Sequence, residues 1–240
     1  MKTFTFVVLH GWGLSSEKFG PLARSLRSRG YQVFVPDLPG FGASKPPQKP
    51  FVLSDYVVFL HAFLKERGIH HPIFIGHSFG GRVALKYQFA YPSDVKAIIL
   101  TGTPGFTPVA KKKIVVAVTL AKIGKKLFSL PPLTRMQETI RSWYYYVVGA
   151  RDYYRASPMM RETFKNIVQE DLVPYMSAVQ VPTALIWGED DIITPTLIAQ
   201  RMHEKILGSV KIFIPHGDHG VSYKQPEKFV MAVESFLKNI

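Results

Sequence analysis

Residues 73–81 read Ile73-Phe74-Ile75-Gly76-His77-Ser78-Phe79-Gly80-Gly81, and the way this stretch turns decides the fold. A run of β-branched and aromatic residues stops at Gly76. A helix-like pattern, Arg82-Val83-Ala84-Leu85-Lys86-Tyr87, begins just past Ser78. Gly76-His77-Ser78-Phe79-Gly80 fits Gly-x-Ser-x-Gly, a tight strand-to-helix turn that strains the serine backbone and exposes its hydroxyl above a sheet. Bulkier residues at the two glycine positions would collide with the neighbouring strand and helix. Five residues of common types are a weak signal alone, so the flanking strand and helix carry the reading. The rest of the chain is then asked which groups could partner Ser78.

Working outward, residues 4–9 read as a buried strand that runs straight into His10-Gly11-Trp12-Gly13. Apolar positions Phe19, Leu22, Ala23 and Leu26 give residues 17–29 a helical face. Residues 31–35 form a second strand, followed by the turn-rich Pro36-Asp37-Leu38-Pro39-Gly40-Phe41-Gly42. Ser54 is placed to cap a helix over residues 55–67. Residues 95–100 give the next strand. Strands that alternate with helices and are apolar on both faces describe a parallel sheet covered on both sides.

After Thr103 the pattern changes. Residues 104–181 carry Lys111-Lys112-Lys113, Pro131-Pro132 and Trp143-Tyr144-Tyr145-Tyr146, with twelve Lys/Arg against five Asp/Glu. Several amphipathic helices are expected there. From residue 182 the core pattern resumes, with strand 183–187, helix 195–207, strand 210–214 and helix 226–237. The chain thus divides into a first core half (1–103), a helical insertion (104–181) and a second core half (182–240).

A chain of 240 residues, 47% hydrophobic, suits one such interrupted domain. It has no cysteine, so disulfides and thiolate metal sites are excluded. His/Asp spacing gives no zinc-like cluster, and no cofactor is expected. Without a leader pattern, cytoplasmic location is the expectation. The net charge of +13 lacks any accompanying nucleic-acid motif, so a lysine-rich solvated surface is the reading, with no nucleic-acid partner. Residues 111–128 are open to two readings: a basic helix lying on an anionic membrane, or a lid helix with Ile114, Val118 and Ala121 facing a cleft.

An exposed serine of this kind needs a base, a residue to orient the base, and donors for an oxyanion. Strand 183–187 ends in Gly188-Glu189-Asp190-Asp191, and strand 210–214 in Pro215-His216-Gly217-Asp218-His219. Both acid and histidine therefore fall at the carboxyl ends of parallel strands, where ligands bind open sheets.

Taken together, His10-Gly11-Trp12, Asp37-Leu38-Pro39-Gly40-Phe41-Gly42, the Ser78 turn, Trp187-Gly188-Glu189-Asp190-Asp191 with Pro195, and Gly217-Asp218-His219 with Pro226-Glu227-Lys228-Phe229 resemble the α/β-hydrolase superfamily. The match lies closest to its lid-bearing serine esterases and C–C hydrolases, and it covers about two thirds of the chain. The resemblance implies an α/β-hydrolase fold with helices on both faces and a helical lid at the insertion, which favours the lid reading of residues 111–128. It implies Ser78, Asp191 and His219 as catalytic residues, with Asp190 and His216 structural. Oxyanion donors would be the Trp12 and Phe79 N–H groups, and no metal is required. His10, Gly11, His77, Trp143 and Tyr144 are the candidate substrate-binding residues, and Asp37 reads as scaffold. Only nine residues precede His10, too few for the family's opening hairpin, so about six parallel strands are expected with strand 31–35 at an edge. That edge leaves monomer and homodimer both open. The implied activity is hydrolysis of carboxylic esters of small to medium apolar substrates. The alternatives are C–C hydrolysis of dienoic ring-cleavage products, or a non-catalytic ligand receptor on the same scaffold.

Overall fold

Among the described residues six apolar runs become strands: β1 Thr5–Leu9, β2 Gln32–Phe34, β3 Ile73–His77, β4 Ala97–Thr101, β5 Thr183–Gly188 and β6 Val210–Ile214. The computed structural model describes residues 4–106 and 157–240. Trp143, Tyr144 and the basic stretch 111–128 lie outside the described residues. Every strand pair is parallel, in the order β2-β1-β3-β4-β5-β6. The six strands and the edge position of β2 match the expectation. The chain leaves β1 toward β2 on one side and returns to β3 on the other. This reversal opens a crevice at the carboxyl ends of β1 and β3, where His10-Gly11-Trp12 and Ser78 emerge.

Alternation along each strand sends side chains to two buried faces. Phe6, Val8, Ile73, Ile75, Ile99 and Ile186 pack on one side with α1 (Gly20–Arg27) and with the long carboxyl-terminal helix Pro226–Leu237. On the other side Leu9, Phe74, Ile98, Leu100 and Trp187 pack under α2 (Leu53–Glu66) and α3 (Phe79–Ala90). Helices α4 (Pro158–Gln169) and α5 (Val173–Ser177) lie between β4 and β5 in the chain, followed by α6 (Thr196–Lys205), α7 (Val221–Lys224) and α8, the Pro226–Leu237 helix.

Two local expectations need correction. The helix read over 17–29 opens as a 3-10 turn, Ser16–Phe19, and α1 begins afresh beside Pro21; proline lacks an N–H to donate and suits a first helical turn. Ser54 does not cap α2, which starts at Leu53. Instead Asp55 Oδ2 accepts the Val52 N–H at 2.7 Å, so the start is fixed by a carboxylate inside the first turn.

The chain between β4 and β5 is tied to the helix that follows the serine. Arg82 on α3 is 3% exposed. Its guanidinium donates to Pro104 O at 2.9 Å, and to Ile167 O and Glu170 O at 2.6 Å each. One side chain thus grips the chain on both sides of residues 107–156. Burial pulls its pKa down to about 10, against the pull of Glu170 and Asp171. Beside it Lys86 pairs with Glu170, whose Oε1 also accepts Tyr175 O–H at 2.6 Å. Replacing Arg82 by Met strands three carbonyls that lose a charged donor. The expected loss is about 2–4 kcal/mol in urea unfolding, and a change below about 1 kcal/mol would show the clasp to be incidental.

Candidate active site

Ser78 has φ 50 and ψ −113, a backbone region that side chains other than hydrogen avoid. The strain is held by neighbours: Ser78 N–H donates to Thr101 O at 2.9 Å, and Ser78 O accepts from Gly81 N–H at 3.0 Å. Phe79 opens α3, so its N–H has no acceptor within the helix and lies at the positive end of the helix dipole. Gly80 explains how this helix reaches the next loop. A Cβ there would sit 2.1 Å from Leu9 O and 2.8 Å from His10 O, so only glycine lets the start of α3 rest on the end of β1. Trp12 is two residues further on, and Gly11 is buried against Ser78 and His77.

The loops after β5 and β6 are joined by backbone bonds, Glu189 N–H to Ile214 O at 3.1 Å and Asp190 N–H to Gly217 O at 2.8 Å. That join brings Asp191 and His219 together. His219 Nδ1 lies 2.9 Å from Asp191 Oδ2, and Asp191 is 4% exposed. Its Oδ1 accepts the N–H groups of Ile193 (2.9 Å) and Thr194 (2.8 Å), while Thr194 Oγ1 donates to Oδ2 at 2.7 Å. Burial opposes ionisation of Asp191, but the bonds from His219 and Thr194 outweigh it and hold the carboxyl below its ordinary range.

The His219 ring leans toward the serine turn. Its centroid is 4.9 Å from that of His77, the residue before Ser78. It also covers Gly102, which follows the Thr101 carbonyl that holds Ser78 N–H. Gly102 has φ 57, and a Cβ there would fall 2.8 Å from His219 Cε1. The two rejected candidates, Asp190 and His216, face outward as an exposed pair 3.9 Å apart. Asp37 is scaffold as expected, its two oxygens accepting Ser16 N–H at 2.6 Å and Ala43 N–H at 2.9 Å.

Two substrate-binding expectations are corrected. His10 is fully buried, and both ring nitrogens are spent on backbone: Leu38 N–H donates to Nε2 at 2.9 Å, and Nδ1 lies 2.8 Å from Gly11 O. His77 is 1% exposed, beneath His219 and packed against the rings of Phe19 and Tyr223, which also meet each other. Neither ring is free to meet a substrate. Burial first, then repulsion from His219, pushes the His77 pKa down to about 3, and burial also lowers that of His10.

These two rings make the fold acid-sensitive. Folded His77 resists protonation where the unfolded chain, at the ordinary 6.5, does not. Below that pH the unfolded state binds more protons, so stability is full above pH 6.5 and falls as pH drops. For His77 alone the expected slope is about 1 kcal/mol per pH unit down to pH 5. Urea midpoints at pH 7.5 and 5 should converge in His77→Phe relative to wild type; an unchanged gap would remove His77 as the cause.

Above the serine turn lies an aromatic wall. Trp12 meets Phe41, Phe79 and Phe164 with ring centroids 4.9, 5.6 and 5.0 Å apart. Phe164 comes from α4, with Met160 one turn earlier packed beside Gly40. A groove of about 800 Å³ opens beside the 11–13 loop, lined among others by Gly13, Lys18, Phe41 and Tyr223. Phe164 and Thr194 were not singled out from sequence. The spacing of Met160, Thr163, Phe164 and Ile167 on one helical face, and a hydroxyl three residues after Asp191, were the available signals. Among the described residues no group of three or more metal-ligating side chains occurs, and no helix is long and apolar enough to cross a membrane.

A family model described as alpha/beta hydrolase fold matches residues 5–226. Lipase 1 of Psychrobacter immobilis is 27% identical over 227 residues, covering 87% of this chain and 68% of that protein. The 2-hydroxy-6-oxo-6-(2'-aminophenyl)hexa-2,4-dienoic acid hydrolase of Metapseudomonas resinovorans is 24% identical over 243 residues, covering 96% and 83%. The solved esterase of Exiguobacterium antarcticum superposes with a TM-score of 0.75 at 24% identity, over 98% of this chain and 92% of that one, a likeness that speaks for the fold.

Proposed function

The chain belongs to the α/β-hydrolase family, and from that premise we propose that it is a serine hydrolase of carboxylic esters with small to medium apolar groups. The observation that carries this reading is the strained Ser78 at the end of β3, with the Asp191–His219 pair reaching toward it from β5 and β6. In the proposed reaction His219 Nε2 takes the Ser78 proton as Oγ attacks the ester carbonyl, and the Trp12 and Phe79 N–H groups receive the oxyanion. Collapse expels the alcohol, which takes the proton from His219, and leaves an acyl-enzyme. Water, deprotonated by the same imidazole, releases the acid. Asp191 keeps Nδ1 protonated and steadies the transient imidazolium. The aromatic wall of Trp12, Phe41 and Phe164 supports an apolar acyl group.

The test is turnover of p-nitrophenyl acetate and butyrate, with a fluorophosphonate probe mapped by peptide mass. Ester turnover with the adduct on Ser78 is expected. An adduct elsewhere, or turnover unaffected by the probe, would overturn the assignment. A second reading, C–C cleavage of a dienoate by the same residues, is favoured by the likeness to the Metapseudomonas resinovorans enzyme. Running a dienoate substrate beside the ester series separates the two.

A further inference from the structure

We propose that Thr194 is a positioning residue, whose hydroxyl fixes the Asp191 oxygen that receives the His219 N–H. The proposal deepens the serine-hydrolase reading and rests on it for its kinetic consequences. Asp191 Oδ2 takes two donors, Thr194 Oγ1–H at 2.7 Å and His219 Nδ1–H at 2.9 Å, and Thr194 Oγ1 is itself 3.2 Å from Nδ1. The three atoms close a triangle. On the other side, Oδ1 takes the backbone N–H groups of Ile193 and Thr194. All four acceptor sites of the carboxylate are thereby used, so it can neither rotate nor exchange its oxygens without breaking several bonds at once.

Thr194 is in turn held by the core. Its carbonyl accepts the N–H of Trp187 at 2.7 Å, from a fully buried indole in β5. Threonine is 6% exposed here, so its hydroxyl faces the pair and not solvent. The groups that face His219 among the described residues are Asp191 from the β5 loop, His77 on β3, and Asp218 beside it in sequence, which is paired with Lys224 of α7. Tyr223, edge-on to the His77 ring, completes the surroundings. Substitution of Thr194 removes its own 3.2 Å contact with Nδ1 and, among these other neighbours, directly alters only Asp191.

Removing the hydroxyl therefore has a directed effect. Asp191 Oδ2 would keep a single donor, hold the protonated imidazole more tightly, and lose its fixed plane. For Thr194→Val the acid limb of the kcat/KM–pH profile should move up by about half a unit, and the plateau should fall about tenfold through misorientation. Thr194→Ser keeps the hydroxyl and should restore both. A residue that merely packs predicts the reverse, since valine preserves volume and serine does not. If valine does not fold, Thr194→Ala against Thr194→Ser isolates the same hydroxyl. A second readout is independent of turnover: the low-field His219 Nδ1–H proton resonance should shift in the valine variant and return in the serine variant. An unmoved resonance, or serine as impaired as valine, overturns the role of Thr194. Ester turnover that survives Ser78→Ala would instead overturn the hydrolase reading, leaving the resonance experiment to decide the contact.

Discussion

Ser78→Ala should lower kcat/KM for p-nitrophenyl butyrate by at least about 10³-fold, while circular dichroism and the unfolding curve stay close to wild type. The hydroxyl is the atom proposed to form the ester bond, and nothing at the turn replaces it. Residual turnover would come from the oxyanion donors and from binding, which remain. The backbone makes a companion variant informative. At φ 50 and ψ −113 any side chain strains residue 78, and alanine retains that strain. Ser78→Gly relieves it and should gain about 1 kcal/mol in urea unfolding while being as inactive as alanine. Loss of activity with gain of stability at one atom position would mark strain maintained for chemistry. Activity in Ser78→Ala within tenfold of wild type would show that the nucleophile is elsewhere.

The second large effect is expected for Asp191→Asn, a fall of about 10³–10⁴-fold near neutral pH. The surroundings of the carboxylate decide which way the amide points. Ile193 and Thr194 N–H groups both donate to Oδ1, so the amide oxygen must take that place and the amide nitrogen must face His219. An N–H there makes Nδ1 an acceptor and moves the ring proton to Nε2. Imidazole in that tautomer has no lone pair for the Ser78 proton. Volume and fold are preserved, so the melting curve should change far less than the rate. A variant retaining more than a tenth of wild-type kcat/KM would mean that the Asp191–His219 pair is not part of the reaction.

Much of this was legible in sequence because it depends on local pattern. Runs such as Ile73-Phe74-Ile75 and Ala184-Leu185-Ile186 are apolar at every position, and only a sheet covered on both faces makes use of that. The separation of Asp191 from Asp190, and of His219 from His216, followed from a family spacing, and the structure sets the rejected pair outward at 3.9 Å. What escaped depends on partners distant in the chain. His10 is buried because Leu38, 28 residues on, offers its N–H to the ring. His77 is buried because Phe19 and Tyr223 close over it. Thr194 meets the Asp191–His219 pair because the Trp187 indole, packed in the core, anchors its carbonyl. Ser54 misled for a simpler reason: Asp55, one residue later, could reach Val52 and moved the helix start.

Strand β4 contributes no reacting group, yet it sits between the strand of Ser78 and that of Asp191, and at its end Gly102 lies flat beneath the imidazole. That geometry has a practical meaning for anyone reshaping the enzyme. Position 102 is a vacancy the machine needs, so saturation libraries there should return only the parent residue. Diversity spent at Trp12, Phe41 and Phe164 leaves this spacer intact and alters the wall a new substrate would meet.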